Sequence, residues 1–415
     1  MSRLSASIVG ASVVSMSLLA CASHKAAPHA SADADAPEPA PIDWRAQEKG
    51  EFADYAQLTF PDKYLRAGEQ YFSPDARWII FQATLRAEAD PSDPQAVPYA
   101  MYVARLKWND NKITGIEEPI RVSEPGSANT CGWFHPTEPW RILFGSTITP
   151  PTEDEHSGYQ RARGSYKWAM PHEMEIVSRV VAPIYFADNP KVTNEIVFTR
   201  EQQTASPIIT RPNGYDAECS YSSDARFILF GGQRGGDGAG AEDVDLFVFD
   251  TTTNKTTPLV TADGYDGGPF FSPDGKWICY RSDRKGNNLL QLFIAELNYD
   301  ASGAITGIKR EVQLTDNEHV NWAPFWHPSG KFLVYATSEV SHQNYEVFSI
   351  EVNPDKPMSQ LRKKRITHAD GFDGLPAFTP DGKWMIWTSQ RGPNTMNDPR
   401  PTSQMWVARV LDIAP

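Results

Sequence analysis

Five short segments of this chain carry an oxygen-bearing side chain at one fixed distance ahead of an aromatic residue. They read SANTCGW (127–133), GYDAECS (214–220), GYDGGPF (264–270), HVNWAPF (319–325) and GFDGLPA (371–377). Five positions ahead of Phe134, Tyr221, Phe271, Trp326 and Phe378 stand Asn129, Asp216, Asp266, Asn321 and Asp373. Glu218, Asp263 and Asp370 lie close by in sequence. Carboxylates and amides are hard-oxygen ligands, so brought together they suit a divalent cation such as calcium. A cationic ligand would fit the same set. A plainer use stands beside that one. Asp and Asn also bond backbone N–H groups of their own turns, and here they could lock neighbouring repeats.

Histidine adds a second kind of chemistry. His156, His172, His319, His342 and His368 fall on loops, while His135 and His327 precede proline in short turns and read as turn residues. Imidazole is a common metal ligand and a general base near neutral pH. Gathered at one opening, the loop histidines would suit a metal-assisted lyase or hydrolase acting on a polysaccharide. Cys131 and Cys219 occupy corresponding segments of consecutive repeats. Their pairing stays open, because a disulfide needs Cα atoms within about 7 Å. The chain has no Gly-x-Ser-x-Gly elbow, no phosphate-cradling glycine loop and no paired-cysteine zinc motif.

The elements that must position these residues repeat six times. The repeats begin QYFSPDARWIIFQA (70–83), GWFHPTEPWRILFGS (132–146), CSYSSDARFILFGG (219–232), PFFSPDGKWICYRS (269–282), PFWHPSGKFLVYAT (324–337) and PAFTPDGKWMIWTS (376–389). Each is an aromatic, a tight turn and an alternating apolar strand. Proline presets φ in such turns and Asp or Gly closes them, so each repeat opens as a β-hairpin. The turn aromatics Phe72, Phe134, Tyr221, Phe271, Trp326 and Phe378 are 62, 87, 50, 55 and 52 residues apart. A third strand follows in every repeat and a fourth in most. Four strands at that period predict a six-bladed, all-β propeller.

The Phe-Ser-Pro-Asp-Gly-Lys repeat resembles that of TolB and its WD-like relatives, across residues 51–415. The resemblance implies six blades and a non-catalytic envelope protein that docks partners. It also implies that the aspartates are largely structural. TolB carries a separate N-terminal domain that this sequence lacks, which sets any Tol role apart from the fold. The His-rich alternative resembles oligogalacturonate lyase, a propeller enzyme with a His-bound metal, but its ligand set does not map onto this chain residue by residue. Serine peptidases that carry a propeller follow it with an α/β domain, for which no length remains after the last blade.

Two consequences follow from the strand count. The sixth repeat stops after its third strand, at Val410, so residues 53–60 (ADYAQLTF) are expected to complete it; Gln57-Leu58-Thr59 repeats Gln313-Leu314-Thr315. That pairing would also cover an exposed sheet edge. The loops then sort onto two faces. Loops 84–98, 147–172, 232–243 and 389–403 share a face with the segments that carry the Asp and Asn residues. Long polar loops on a rigid scaffold are where function gathers. Within 147–172, Glu153, Asp154, Glu155 and His156, with Arg161, Arg163 and Trp168, are placed to cover the opening. Arg362-Lys363-Lys364-Arg365 falls on an outer strand, where lysines discourage edge-to-edge pairing.

Residues 1–20 read as a secretion signal, with Arg3 followed by an apolar run from Leu4 to Leu19 that is too short to span a bilayer. Leu18-Leu19-Ala20-Cys21 resembles a bacterial lipobox, which implies lipidation at Cys21. Ala22 after the cysteine implies an outer-membrane address facing the periplasm. Residues 21–50 are rich in Ala and Pro and are expected to be a tether. The formal net charge of −13 argues against nucleic-acid binding and against adsorption to anionic lipid. The resulting expectation is a monomeric, lipid-anchored propeller that binds an envelope protein, peptide or glycan through its loop-bearing face.

Overall fold

The computed structural model describes residues 42–89, 97–152, 158–160, 165–167, 171–187, 203–209, 211, 214–233 and 243–415. Six antiparallel sheets stand in a ring, each with its first strand innermost. The inner strands are Tyr64–Phe72, Asn129–Phe134, Asp216–Tyr221, Asp266–Phe271, Asn321–Trp326 and Asp373–Phe378. Second and third strands are almost wholly buried because both their faces pack against neighbouring blades. Phe227–Gln233 and Val244–Asp250 show no exposed position. Such strands read as continuous apolar runs and not as alternation.

The short turns owe their shape to one repeated hydrogen-bond pair. Ser272 Oγ donates to Asp274 Oδ1 (2.7 Å) and accepts from Trp277 N (2.9 Å). Ser73, Ser222 and Thr379 repeat this with Asp75, Asp224 and Asp381. His135 and His327 take the same place: Nδ1 of His135 accepts from Glu138 N and Nδ1 of His327 from Ser329 N. Both imidazoles are thus turn residues, and burial pulls their pKa below the usual histidine value.

The ring closes as the strand count required. Phe52–Gln57 pairs antiparallel with Gln404–Val410 and makes the fourth strand of blade 6. The Gln-Leu-Thr likeness is a likeness of bonding. Gln57 Nε2 donates to Thr59 O (2.8 Å) and Gln313 Nε2 to Thr315 O (2.7 Å). Thr59 and Thr315 hydroxyls then accept from Met405 N and Leu292 N. The folded unit begins at Ile42, so residues 42–50, expected within the tether, are part of it. Trp44–Gln47 forms a single helical turn, and the Glu48 side chain after it is fully buried. Blade 2 gains its fourth strand from Ser206–Ile209, which the repeat pattern missed. Ahead of it a short helix, Ala182–Tyr185, lays Tyr185 on Trp78 of blade 1 (5.5 Å, stacked). The long 147–172 segment and the residues between Val180 and Ser206 together make up the 87-residue spacing.

Candidate functional site: the closed channel

Each inner strand contains the same irregularity. Pairing with the second strand breaks at Gly68/Tyr71, Thr130/Trp133, Ala217/Ser220, Gly267/Phe270, Trp322/Phe325 and Gly374/Ala377. The first residue of every bulge has positive φ: Glu69 (48°), Cys131 (49°), Glu218 (56°), Gly268 (60°), Ala323 (51°) and Leu375 (53°). A bulge re-aims a side chain, and these six line one cavity. One residue from every blade can meet only on the ring axis.

Two positions further on, the channel is shut. Tyr71 lies 5.6 Å from Phe270 and Trp133 lies 6.2 Å from Phe325, between ring centroids. Blades 1 and 4, and 2 and 5, face each other across the axis, so these rings plug it. Above the plug remains a cavity of about 10 Å³, about enough for one water.

The cavity wall is polar on one side and apolar on the other. From blades 1 and 2, Glu69 accepts from Thr130 Oγ1 (3.1 Å) and from the Cys131 thiol (2.8 Å). From blades 3 and 4, Glu218 accepts from Arg281 Nη2 (2.8 Å), from Tyr265 OH and from Gly268 N (2.6 Å). Arg281 and Tyr265 do not belong to the inner strands' lumen positions. Arg281 reaches the lumen and donates to Tyr265 OH (2.7 Å), in space left by two glycines: a Cβ on Gly267 would stand 2.2 Å from Tyr265 OH, and one on Gly268 1.9 Å from Arg281 Nη1. Blades 5 and 6 contribute Ala323 and Leu375. Burial raises the Glu69 carboxyl above its usual range and drives the Cys131 thiol well up. A thiol held protonated is no nucleophile. Cys131, Cys219 and Cys279 are all free and buried, and Cys219 Sγ instead donates to Cys131 O.

The five ring residues expected at the channel mouth begin their strands as counted, but all are buried in the seams between blades. Asn129 Nδ2 donates to Tyr99 O (2.9 Å) and Asn321 Nδ2 to Leu290 O (3.2 Å), each in the preceding blade. Aspartate cannot donate, so its blades recruit arginine. Arg211 Nε lies 2.9 Å from Asp216 Oδ1, Arg284 Nη2 3.4 Å from Asp266 Oδ1 and Arg391 Nη2 2.7 Å from Asp373 Oδ2. Of the expected residues, only Glu218 enters the lumen. His319 is half-buried and its carbonyl accepts from Asn321 Nδ2. Asp263 and Asp370 are exposed. Glu153, Glu155, His156 and the rest of the covering segment named above lie outside the described residues. Among the described residues, no three His, Cys, Asp or Glu side chains are grouped to hold a metal ion. Counting three back from each turn aromatic, not five, would have found Glu69, Cys131 and Glu218. The Ser-x-Arg repeated at 282–284 and 389–391 would have found the arginines.

Asp266 makes a pH test possible. Burial holds its carboxyl at about 7, despite Arg284. Between pH 4 and 7 the folded protein therefore keeps a proton that the unfolded chain has lost, so stability falls as pH rises through that window. Asp266→Asn removes the titration, and the fold already uses Asn at this place in blades 2 and 5. The variant should gain on its parent by about 1–3 kcal/mol in urea unfolding between pH 5 and pH 8. A gap independent of pH would show that the carboxyl does not take up that proton.

No family model matches the chain. TolB, the Tol-Pal system protein of Francisella tularensis subsp. holarctica (strain OSU18), is 28% identical over 189 residues, covering 46% of this chain and 37% of that protein. The chain is a six-bladed β-propeller with a partial sequence likeness to TolB. The chain is also similar to the uncharacterized peptidase YuxL of Bacillus subtilis (strain 168), 23% identical over 173 residues, covering 35% of this chain and 25% of that protein. The chain thus spans about a quarter to just over a third of the length of these curated relatives. The solved structure of a putative TolB from Agrobacterium tumefaciens is 14% identical with a TM-score of 0.46, over 83% of this chain and 90% of that one.

Proposed function

We propose that this protein is a lipid-anchored propeller of the bacterial envelope that binds a protein or peptide partner on its loop-bearing face. In this reading the signal is residues 1–20, Cys21 carries the lipid, and the ring faces the periplasm as a monomer. One observation carries the choice of binding over chemistry. The Asn and Asp side chains that could have formed a reactive ring are buried, the asparagines bonded to the preceding blade and the aspartates to arginines. The aromatic plug closes the axis, so a partner must bind on the outside of the ring, where the long loops gather on one face. The sequence likeness to a Tol-Pal system protein supports an envelope setting.

Site-specific photo-cross-linking in the source bacterium tests this. Exposed positions Thr149, Asn287, Val340 and Met396 lie on the loop face, and Asp224, Lys276 and Lys383 on the opposite one. Discrete cross-linked partners are expected from the first set and not from the second. Equal labelling from both faces, or none from either, would end the reading.

A further inference from the structure

Blade 6 shows how this fold captures a helical turn. Trp44 lies against Trp406 (5.9 Å, edge-on) and under the Arg391 guanidinium (4.3 Å). Four residues on, Glu48 meets Arg391 with both oxygens (2.9 and 3.0 Å) and accepts from His368 N (2.7 Å). An aromatic and a carboxylate one turn apart thus fill one pocket, closed on its outer side by the strand that carries Tyr55 and Gln57.

Blade 4 repeats that pocket without the occupant. Ser282 pairs with Gln291 as Ser389 pairs with Gln404. Phe293 pairs with Gln313 as Trp406 pairs with Gln57. Arg284 stands where Arg391 does, two residues after the serine. The outcome is a groove of about 350 Å³ on the loop side of the blade, walled by these residues with Lys285 and Glu311. Its arginine rests where an occupant would go. Arg284 lies 4.2 Å over the Phe293 ring and pairs with Glu311 (2.6 Å), 3.4 Å from Asp266. Asp373 Oδ2, by contrast, holds Arg391 at 2.7 Å, while Asp266 Oδ2 is buried without a hydrogen bond. An aromatic inserted over Phe293 would return Arg284 to Asp266 and leave it stacked on the newcomer, the arrangement of blade 6.

We propose that the blade 4 groove binds a helical turn of a partner protein presenting an aromatic side chain and, four residues on, a carboxylate. Arg284 and Lys285, 26% and 46% exposed and paired with Glu311 and Asp316, are the cations that acid would meet by exchanging for those partners. The chain's own segment is a poorer source, because it is buried in blade 6. The inference deepens the binding reading by naming the partner's chemistry.

The probe is a labelled, capped peptide of residues 42–50, IDWRAQEKG, titrated onto the intact protein and read by fluorescence polarisation. Saturable binding at about 0.1–1 mM is expected for a short segment that orders on binding. Trp44→Ala or Glu48→Gln in the peptide should weaken it at least ten-fold. In the protein, Phe293→Ala should weaken it at least ten-fold and Lys285→Glu three- to ten-fold. Lys285 is a rim position, so that variant decides the matter should Phe293→Ala fail to fold. No saturable binding at millimolar peptide, or binding that survives Lys285→Glu because the peptide exchanges into blade 6, overturns the proposal. Either failure leaves face-selective cross-linking intact, so the two readings fall separately.

Discussion

Arg391→Met is expected to cost about 3–5 kcal/mol of unfolding free energy, the range for removing one partner from a buried ion pair. The Arg391, Glu48 and Asp373 side chains are at most 1% exposed. One guanidinium holds two carboxylates there, and burial already raises Glu48 above the usual carboxylate range. Without the arginine both acids must take up protons or draw in water. Methionine keeps much of the apolar bulk against Trp44 and Trp387, so the loss reports charge more than a cavity. The strand Phe52–Gln57 hangs on this triad, and it closes the ring. Limited proteolysis should therefore release the N-terminal segment from the variant before the blades are cut. Adding Glu48→Gln and Asp373→Asn should restore much of the loss, because buried ion networks can often be replaced at little net cost. A single variant within about 1 kcal/mol of its parent, its N-terminus still protected, would show that backbone pairing alone holds the clasp.

Gly268→Ala should cost at least about 3 kcal/mol, far more than left-handed backbone conformation can account for, which is about 1–2 kcal/mol. The other five bulges carry side chains at nearly the same φ, so the fold tolerates that geometry with a Cβ. What it lacks at Gly268 is space. The new methyl would meet Arg281 Nη1 at 1.9 Å, forcing the guanidinium out of the lumen. Glu218 would then lose its cation while still buried. Gly275→Ala is the control: its φ is +69° and nothing lies within 4 Å, so only the backbone term of about 1–2 kcal/mol should appear. Urea unfolding of the two variants separates the effects. Equal losses would mean that the Arg281–Glu218 contact contributes little to the closed channel.

Much of the architecture was legible in the residues because its causes are local. The Ser-Pro-Asp-Gly turns are specified by side chains two to five residues apart, and each turn fixes the hairpin that flanks it. Repetition then multiplies a weak local signal six times. The closing strand was legible because Gln-Leu-Thr performs the same hydrogen bonds in blades 4 and 6. Ser206–Ile209 was not legible, since a four-residue outer strand after a helix has neither period nor turn to announce it.

The channel divides differently. The sequence by itself determined that Asp or Asn stands five residues ahead of five of the six turn aromatics. It also determined six blades, because turn chemistry and strand length are short-range properties. Only the tertiary structure decided which way those side chains point. The bulge after each strand start turns the third residue inward and leaves the first in the seam, so Glu69 and Glu218 reach the axis while Asp216, Asp266 and Asp373 meet arginines. Arg281 enters the lumen because Gly268 in the neighbouring strand leaves room, and Arg391 is buried because a segment more than 340 residues earlier in the chain folds over it. Those outcomes depend on atoms that are distant in sequence and adjacent in space, and close packing, not local preference, selects them.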